Sequence, residues 1–295
     1  MQPASSGRSV LRELLAGAEH SLAVGPHPER ANRDAQTLLL HALNEIVPGA
    51  NLSWLIAHQY DAVAPGAAQS FHALVERRLA GEPIQYITTL AEFYGLSFYV
   101  DRSVLIPRPE TEHLVEKAIA LAGNFASPRI VDVGTGSGAI AVALAHNLPS
   151  AQIVATEISA PALAVAQSNT ARHALADRVR FREGDLLAPV VGQLFDLVVS
   201  NPPYVPLADR NALTVEVREF EPEQALFAGD DGLAIYRRLI PAAFSALVSG
   251  GFVVLEIGYG QADAIHALLN NAGFCEIAFA PDLQGIPRVA SARHP

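Results

Sequence analysis

The chain has 295 residues, 50% of them hydrophobic, and twenty Lys plus Arg against thirty Asp plus Glu for a formal net charge of -10. That length supports two domains with their own cores, and the acidic balance offers no broad basic face of the kind that holds nucleic acid or anionic membrane. Apolar runs are strand-sized and too short to span a membrane, the opening MQPASSGRSV lacks the apolar core of a secretory leader, and the single cysteine, Cys275, excludes an internal disulfide and any multi-cysteine metal site. A soluble, cytoplasmic chain is expected.

The first part reads as helices. In SVLRELLAGAEHSLA the residues Val10, Leu11, Leu14, Leu15, Ala18 and Leu22 recur with helical spacing, as do Ala31, Ala35, Leu38, Leu39 and Ala42 in PERANRDAQTLLLHALN. VAPGAAQ interrupts, and SFHALVERRLAG gives a further helix ending at Gly81. This predicts a helical domain over 1–80, with Trp54 packed inside it. Its charge is nearly balanced, six Arg against seven Asp plus Glu. FYGLSFYVDRSVLIP alternates and turns like a hairpin, so residues 81–109 are expected to be a strand or hairpin connector.

From Glu110 onward helices and strands alternate. A helix through Leu114, Val115, Ala118 and Ile119 precedes the strand RIVDV. The helix SGAIAVALAHNL, the strand AQIVATE and the helix SAPALAVAQSNTARHAL come next. RVRFREGD and FDLVVS are strands, GLAIYRRLIPAAFSAL a helix, GGFVVLEIG a strand and QADAIHALLNNAG a helix. FCEIAFA, which contains Cys275 as a small core residue, and PRVASA close the series and could pair antiparallel. The pattern predicts an α/β domain over 110–295, a mostly parallel sheet with helices on both faces.

Open parallel sheets bind ligands beyond the carboxyl ends of their strands. VDVGTGSGAIA, residues 131–141, follows one such strand and opens a helix. Gly134, Gly136 and Gly138 permit a tight turn and close approach to a ligand, and the free amides of the helix start suit polar or carboxylate groups. The spacing GxGxG is neither the dinucleotide GxGxxG nor a phosphate loop, and alone it is weak evidence, since a tight strand-to-helix turn is the alternative. IVATE ends the next strand at Glu157, where a carboxylate can accept both ribose hydroxyls of a nucleoside. EGDLL puts Asp185 near the same crevice, as a partner for a base amino group or as a helix cap. With Asp132 and Asn201, four polar groups fall at or near strand ends.

Together these stretches resemble the class I methyltransferases that use S-adenosylmethionine, whose fold is a seven-stranded Rossmann-like sheet. SNPPY narrows the resemblance to enzymes that methylate an amide or exocyclic amino nitrogen. RRLAGEPIQYI, LIPRPETEHLVE, VDVGTGSGAIAVALA, FDLVVSNPPYV, EPEQALFAGDDGLAIYRRLI, EIGYGQ and DLQGIPR are similar to the peptide-chain release factor glutamine methyltransferase family. PRPETE at 107–112 separates it from a sister family that methylates a ribosomal protein and tends to carry PRSP there. One departure is Glu157, where that family usually has Asp.

The resemblance implies S-adenosyl-L-methionine as methyl donor, with Asp132, Gly134, Thr135, Gly136, Ser137, Gly138, Glu157, Asp185, Leu186 and Asn201 as the expected donor-binding set. It implies no metal, and the histidines show no ligand spacing such as HExxH. Asn201, Pro202, Pro203 and Tyr204 are the expected substrate-binding set, with Asn201 and Pro202 catalytic. A glutamine amide nitrogen is a poor nucleophile because its lone pair is delocalised. Acceptors from the Asn201 side chain and the Pro202 carbonyl would hold both N–H groups and favour the positive charge that grows on nitrogen. The prolines fix the backbone in advance, and Tyr204 packs on the flat amide or lines its slot. Out of context Asn201 is equally an Asx turn that ends a strand.

The implied partner is a release factor, methylated on the glutamine of its Gly-Gly-Gln loop, with the helical domain gripping the substrate. Methylation of a ribosomal-protein glutamine, or of adenine N6 in nucleic acid, is the alternative. The acidic charge disfavours nucleic acid, and a monomer that binds neither membrane nor nucleic acid is expected. Arg108 reads as a contact to a donor carboxylate or an anchor for Glu110, within a segment that equally forms a stiff linker and helix start. Glu216, Glu219, Glu221 and Glu223 read as a peptide-entry loop or a solvated acidic one.

Overall fold

A computed structural model describes residues 9–295. The segment MQPASSGR, on which the expectation of no leader rests, lies outside these residues. In chain order the elements are α1 (Leu11–Leu22), α2 (Ala31–Leu43), α3 (Leu52–Ala57), α4 (Pro65–Leu79), α5 (Ile84–Thr88), β1 (Leu90–Phe93), β2 (Leu96–Tyr99), α6 (Thr111–Ala122) and β3 (Arg129–Val133). Then come α7 (Ala139–Asn147), β4 (Gln152–Glu157), α8 (Ala160–Arg172), β5 (Val179–Glu183), β6 (Phe195–Ser200) and α9 (Val215–Phe220). The chain closes with α10 (Ala234–Ala246), β7 (Leu247–Glu256), α11 (Ala262–Asn271), β8 (Cys275–Pro281) and β9 (Pro287–Arg293). No helix among the described residues is long and apolar enough to cross a membrane.

The chain divides into two compact units, residues 1–89 with 214–220, and residues 90–213 with 221–295. The first is helical. Leu14, Ala18, Ala35, Leu38, Leu39, Phe71 and Val75 meet in its core, as the helical spacing requires. Two details differ from the sequence expectation. VAPGAAQ does not precede α4 but starts it, because Pro65 occupies the first helical turn, where a missing N–H costs nothing. The unit also runs past residue 80 to Thr89, because α5, expected as part of a hairpin connector, is a short helix whose Ile87 joins the helical core. The hairpin itself is β1 paired antiparallel with β2. Trp54 is partly buried against the same core and stacks on His58 with ring centroids 4.3 Å apart.

The second unit carries a seven-stranded sheet of order β5-β4-β3-β6-β7-β9-β8. Strands β3 to β7 run parallel, and β9 is antiparallel to both neighbours. The two faces follow from the period of two. Ile130, Leu197 and Val199 face one core with α6 and α7. Val131, Val133 and Val198 face the other with α10 and α11. The chain moves outward from β3 to β4 to β5, then returns to β6 on the other side of β3. That reversal opens a crevice beyond the carboxyl ends of β3 and β6.

Candidate functional site

A cavity of about 350 Å³ occupies this crevice. Small-molecule sites fall in the range of about 300–1,000 Å³. It is lined from β3 by Val133 to Ser137, from β4 by Glu157 to Ser159, by Gly184 to Leu186, and by Ser200 to Pro203 at the end of β6. Of the expected donor and substrate residues, Asp132, Gly138 and Tyr204 do not line it.

The glycines divide by role. At Gly136, φ is +56° and a side-chain carbon would meet no protein atom within 4 Å, so its backbone stays open to approach from the cavity it lines. At Gly138, φ is +82° and the same carbon would sit 3.1 Å from Ala166, so this glycine lets α7 pack on α8.

Glu157 is buried and held by three backbone donors. Gly136 N–H donates to Oε2 at 2.9 Å, while Ile158 and Ser159 N–H donate to Oε1 at 2.9 and 3.0 Å. A carboxylate offers roughly four lone-pair directions, so a diol at this site would share the remaining capacity with these amides. Asp185 is half-exposed at the mouth and paired with Arg238, which also lines the cavity.

Behind the loop, Asp132 is fully buried. Thr135 Oγ1 donates to its Oδ2 at 2.6 Å, and its Oδ1 has no partner among the described residues. Burial first, then the charge of Glu157, pushes its carboxyl up to about 7, against the Thr135 hydrogen bond and an Ala141 backbone contact. In the unfolded chain an Asp titrates near about 3.9, so folding takes up a proton between these values and stability contributed here falls as pH rises through that window. Asp132→Asn removes the titration. Its stability measured in urea is expected to vary less between pH 5 and 8 than the parent's, the upper bound of the difference being about 2.7 kcal/mol. An unchanged slope contradicts this assignment.

The Asn-Pro-Pro-Tyr turn is built against three elements. Asn201 Nδ2 donates to Thr111 Oγ1 of α6 at 3.1 Å, and Thr111 Oγ1 donates to Glu256 Oε2 at the end of β7 at 2.5 Å. Tyr204 hydroxyl donates to the other oxygen of Glu256 at 3.3 Å. Gln261 Nε2 donates to the Tyr204 carbonyl at 3.0 Å, and Tyr236 hydroxyl to the Glu256 carbonyl at 2.6 Å. Burial raises Glu256 to about 7, and burial beside Glu256 raises the Tyr204 phenol well above its ordinary value. Tyr204 therefore sits behind the loop as a strut. The Asn201 Oδ1 and Pro202 carbonyl oxygens accept no hydrogen bond from the described residues.

The sequence reading missed Thr111, Glu256 and Gln261 as parts of this support. Thr111 falls within a helix start, and the unbroken apolar run FVVL that ends in Glu256, buried over its last four positions, was the available signal. Arg108 pairs with Glu221, its Nη2 2.6 Å from Oε1, and not with Glu110. The acidic run is also largely neutralised internally: Glu216 meets Arg78, Glu219 meets Arg218 and Glu223 meets Arg210.

Residues 111–218 match the Methyltransferase small domain, and residues 13–88 the PrmC N-terminal domain. The T. thermophilus 16S rRNA methyltransferase RsmC, solved with AdoMet and guanosine, shares the fold at 18% identity and a TM-score of 0.52, over 70% of this chain and 50% of that one. The release factor glutamine methyltransferase of Bordetella pertussis is 44% identical over 96% of this chain and 98% of its own length. That of Geobacter sulfurreducens is 48% identical over 78% of this chain and 79% of its own. At these identities and coverages, the chain belongs to the release factor glutamine methyltransferase family.

Proposed function

We propose that this chain methylates the side-chain amide nitrogen of a release-factor glutamine, with S-adenosylmethionine as donor and the Gly-Gly-Gln glutamine as acceptor. The observation that carries this reading is the pairing of two acceptors, Asn201 Oδ1 and the Pro202 carbonyl, without hydrogen-bond partners among the described residues, on a loop that lines the cavity.

The residues present fit the donor. The sterically open backbone at Gly136 and the remaining acceptor capacity of Glu157 suit close approach of a nucleoside, and the cavity has the volume of a small-molecule site. Gly134 to Ser137, Glu157, Asp185 and Leu186 would hold it, and Asp132 would support the loop from behind. When bound, it supplies an electrophilic methyl group on a sulfonium.

The chain's own residues orient the acceptor. Asn201 and Pro202 take one N–H each of a planar primary amide and turn the nitrogen lone pair away from them. Pro202 and Pro203 hold these acceptors in place before substrate arrives, so little reorganisation is needed as charge grows on nitrogen. Both acceptors stabilise that positive charge. The N-methylated amide cation is strongly acidic and loses its proton to water, so no strong general base is required. The helical unit, which matches a domain found in this family, is the proposed docking element for the protein substrate.

Methyl-labelled S-adenosylmethionine incubated separately with purified release factor, ribosomal protein and DNA tests the reading. Label is expected in the release factor alone. Label confined to DNA, or to the ribosomal protein, contradicts it.

A further inference from the structure

The side chain of Asn201 carries an acceptor and a donor of nearly equal size, and only one orientation serves the proposed chemistry. If Nδ2 pointed into the cavity, it would oppose the N–H groups of a substrate amide. Something in the protein must therefore choose between two orientations that a bare asparagine would populate.

The choice is made two residues away. Both carboxylate oxygens of Glu256 accept from hydroxyls, Oε1 from Tyr204 and Oε2 from Thr111. Thr111 has one hydroxyl proton. Given to Glu256 at 2.5 Å, it leaves the Thr111 oxygen only as an acceptor toward Asn201. A hydrogen bond between Thr111 and Asn201 then requires Nδ2 on the Thr111 side, and Oδ1 is left for the substrate. Thr111 and Glu256 are 4% and 2% exposed, so water does not compete for these bonds.

We propose that Thr111 and Glu256 are positioning residues that fix the sense of the Asn201 amide, Glu256 as the charged end of a one-way hydrogen-bond relay and Thr111 as its only link. The proposal rests on the reading of Asn201 as the amide acceptor. It assigns a role to a buried carboxylate that touches neither the cavity nor the donor loop.

The relay runs in this sense while Glu256 is ionised. Once protonated, the carboxyl can donate to Thr111, whose hydroxyl is then free to donate to Asn201 and invite the opposite orientation. The groups around Glu256 are the Thr111 hydroxyl from α6, Glu110 at the start of that helix, Tyr204 from the loop after β6, Tyr236 from α10 at its backbone carbonyl, and Arg288 from β9. Burial and Glu110 favour the protonated form, while Arg288 and the two side-chain hydroxyl bonds favour the carboxylate.

The test compares Thr111→Val, Thr111→Ser, Glu256→Gln and Asn201→Ala by steady-state kinetics on a release factor, with donor binding measured by calorimetry. Thr111→Val keeps the shape and removes the hydroxyl, and is expected to lower kcat at least about tenfold with donor affinity within about twofold. Thr111→Ser keeps the hydroxyl and is expected to stay within about threefold of the parent. The parent's kcat is expected to fall as pH drops through about 7, and this acid limb is expected to vanish in Glu256→Gln, which loses a similar factor in kcat. Thr111→Val with parental kcat overturns the proposal, as does equal loss in the Ser and Val variants. Should Thr111→Val not fold, Glu256→Gln with parental kcat and an intact acid limb overturns it. Asn201→Ala separates the two levels. A low kcat there beside a parental Thr111→Val defeats the relay alone, whereas a parental Asn201→Ala defeats the reading beneath it.

Discussion

Replacing Asn201 with Ala is expected to lower kcat about 100-fold while leaving the donor dissociation constant within about threefold, by analogy with loss of one preorganised hydrogen-bonding group at a reacting centre. Asn201 lines the cavity at the end of β6, and its side-chain nitrogen is taken by Thr111. Removal of the side chain deletes one of two acceptors for the substrate amide and leaves the Pro202 carbonyl. The acceptor N–H that loses its partner is then free to rotate, and the lone pair is no longer aimed. Both effects act on the transition state more than on binding, so kcat falls more than KM rises. The donor loop, centred on Gly134 to Ser137 and Glu157, makes no hydrogen bond to Asn201 among the described residues and should keep its geometry. Kinetics with release factor and calorimetry with S-adenosylmethionine check both halves. A large loss of donor affinity with unchanged turnover contradicts the assignment.

The largest expected effect on stability lies in the helical unit. Arg78 on α4 is 1% exposed. Its Nε donates to Asp34 Oδ2 of α2 at 2.6 Å, its Nη1 donates to the Glu82 backbone carbonyl at 2.9 Å, and the same nitrogen bridges to Glu216 of α9. The planar fork joins three segments distant in sequence, including one that belongs to this unit although it lies more than a hundred positions downstream. Arg78→Ala leaves the buried Asp34 without its cation, while Glu216 keeps only Arg30 at 3.8 Å and His27 at 3.3 Å, and is expected to cost about 3–5 kcal/mol. That is a large part of an ordinary domain's stability of about 5–15 kcal/mol. Arg78→Lys should recover only part of the loss, because a point charge cannot satisfy partners in three directions. Urea unfolding followed by circular dichroism checks the values. A loss below about 1 kcal/mol in Arg78→Ala contradicts the account, since that is the scale of an exposed pair.

Much of the fold was legible because it is written in periodicity. Ile130, Val131 and Val133 lie in a strand with both faces covered, and the glycines after it sit between that strand and a helix, so the open parallel sheet followed. The antiparallel end of the sheet was visible as two closing strands with a turn between them. Two helical details were hidden. Pro65 reads as a breaker when periodicity alone is followed, yet it is a favoured first-turn residue. Ile84–Thr88 is too short for its period to be told from that of a connector.

The site divides in the same way. Residues that line the cavity announced themselves by type and by their place at strand ends. Its support did not, because Thr111, Glu256 and Gln261 are far from Asn201 in sequence and only the sheet register brings them together. Tyr204 shows the limit of local reasoning. Next to two prolines it reads as a wall of the substrate slot, whereas its hydroxyl turns to Glu256 behind the loop. The Glu216 to Glu223 run is similar: its charge was plain, but not the arginines that cancel it.

The central claim concerns the nitrogen that receives the methyl group. Release factor methylated by this protein with isotope-labelled S-adenosylmethionine, then digested and sequenced by tandem mass spectrometry, tests it most directly. The account predicts one labelled methyl group on the side-chain nitrogen of the Gly-Gly-Gln glutamine and none elsewhere. Label on a lysine, an arginine or a backbone amine, with that glutamine unmodified, would contradict it.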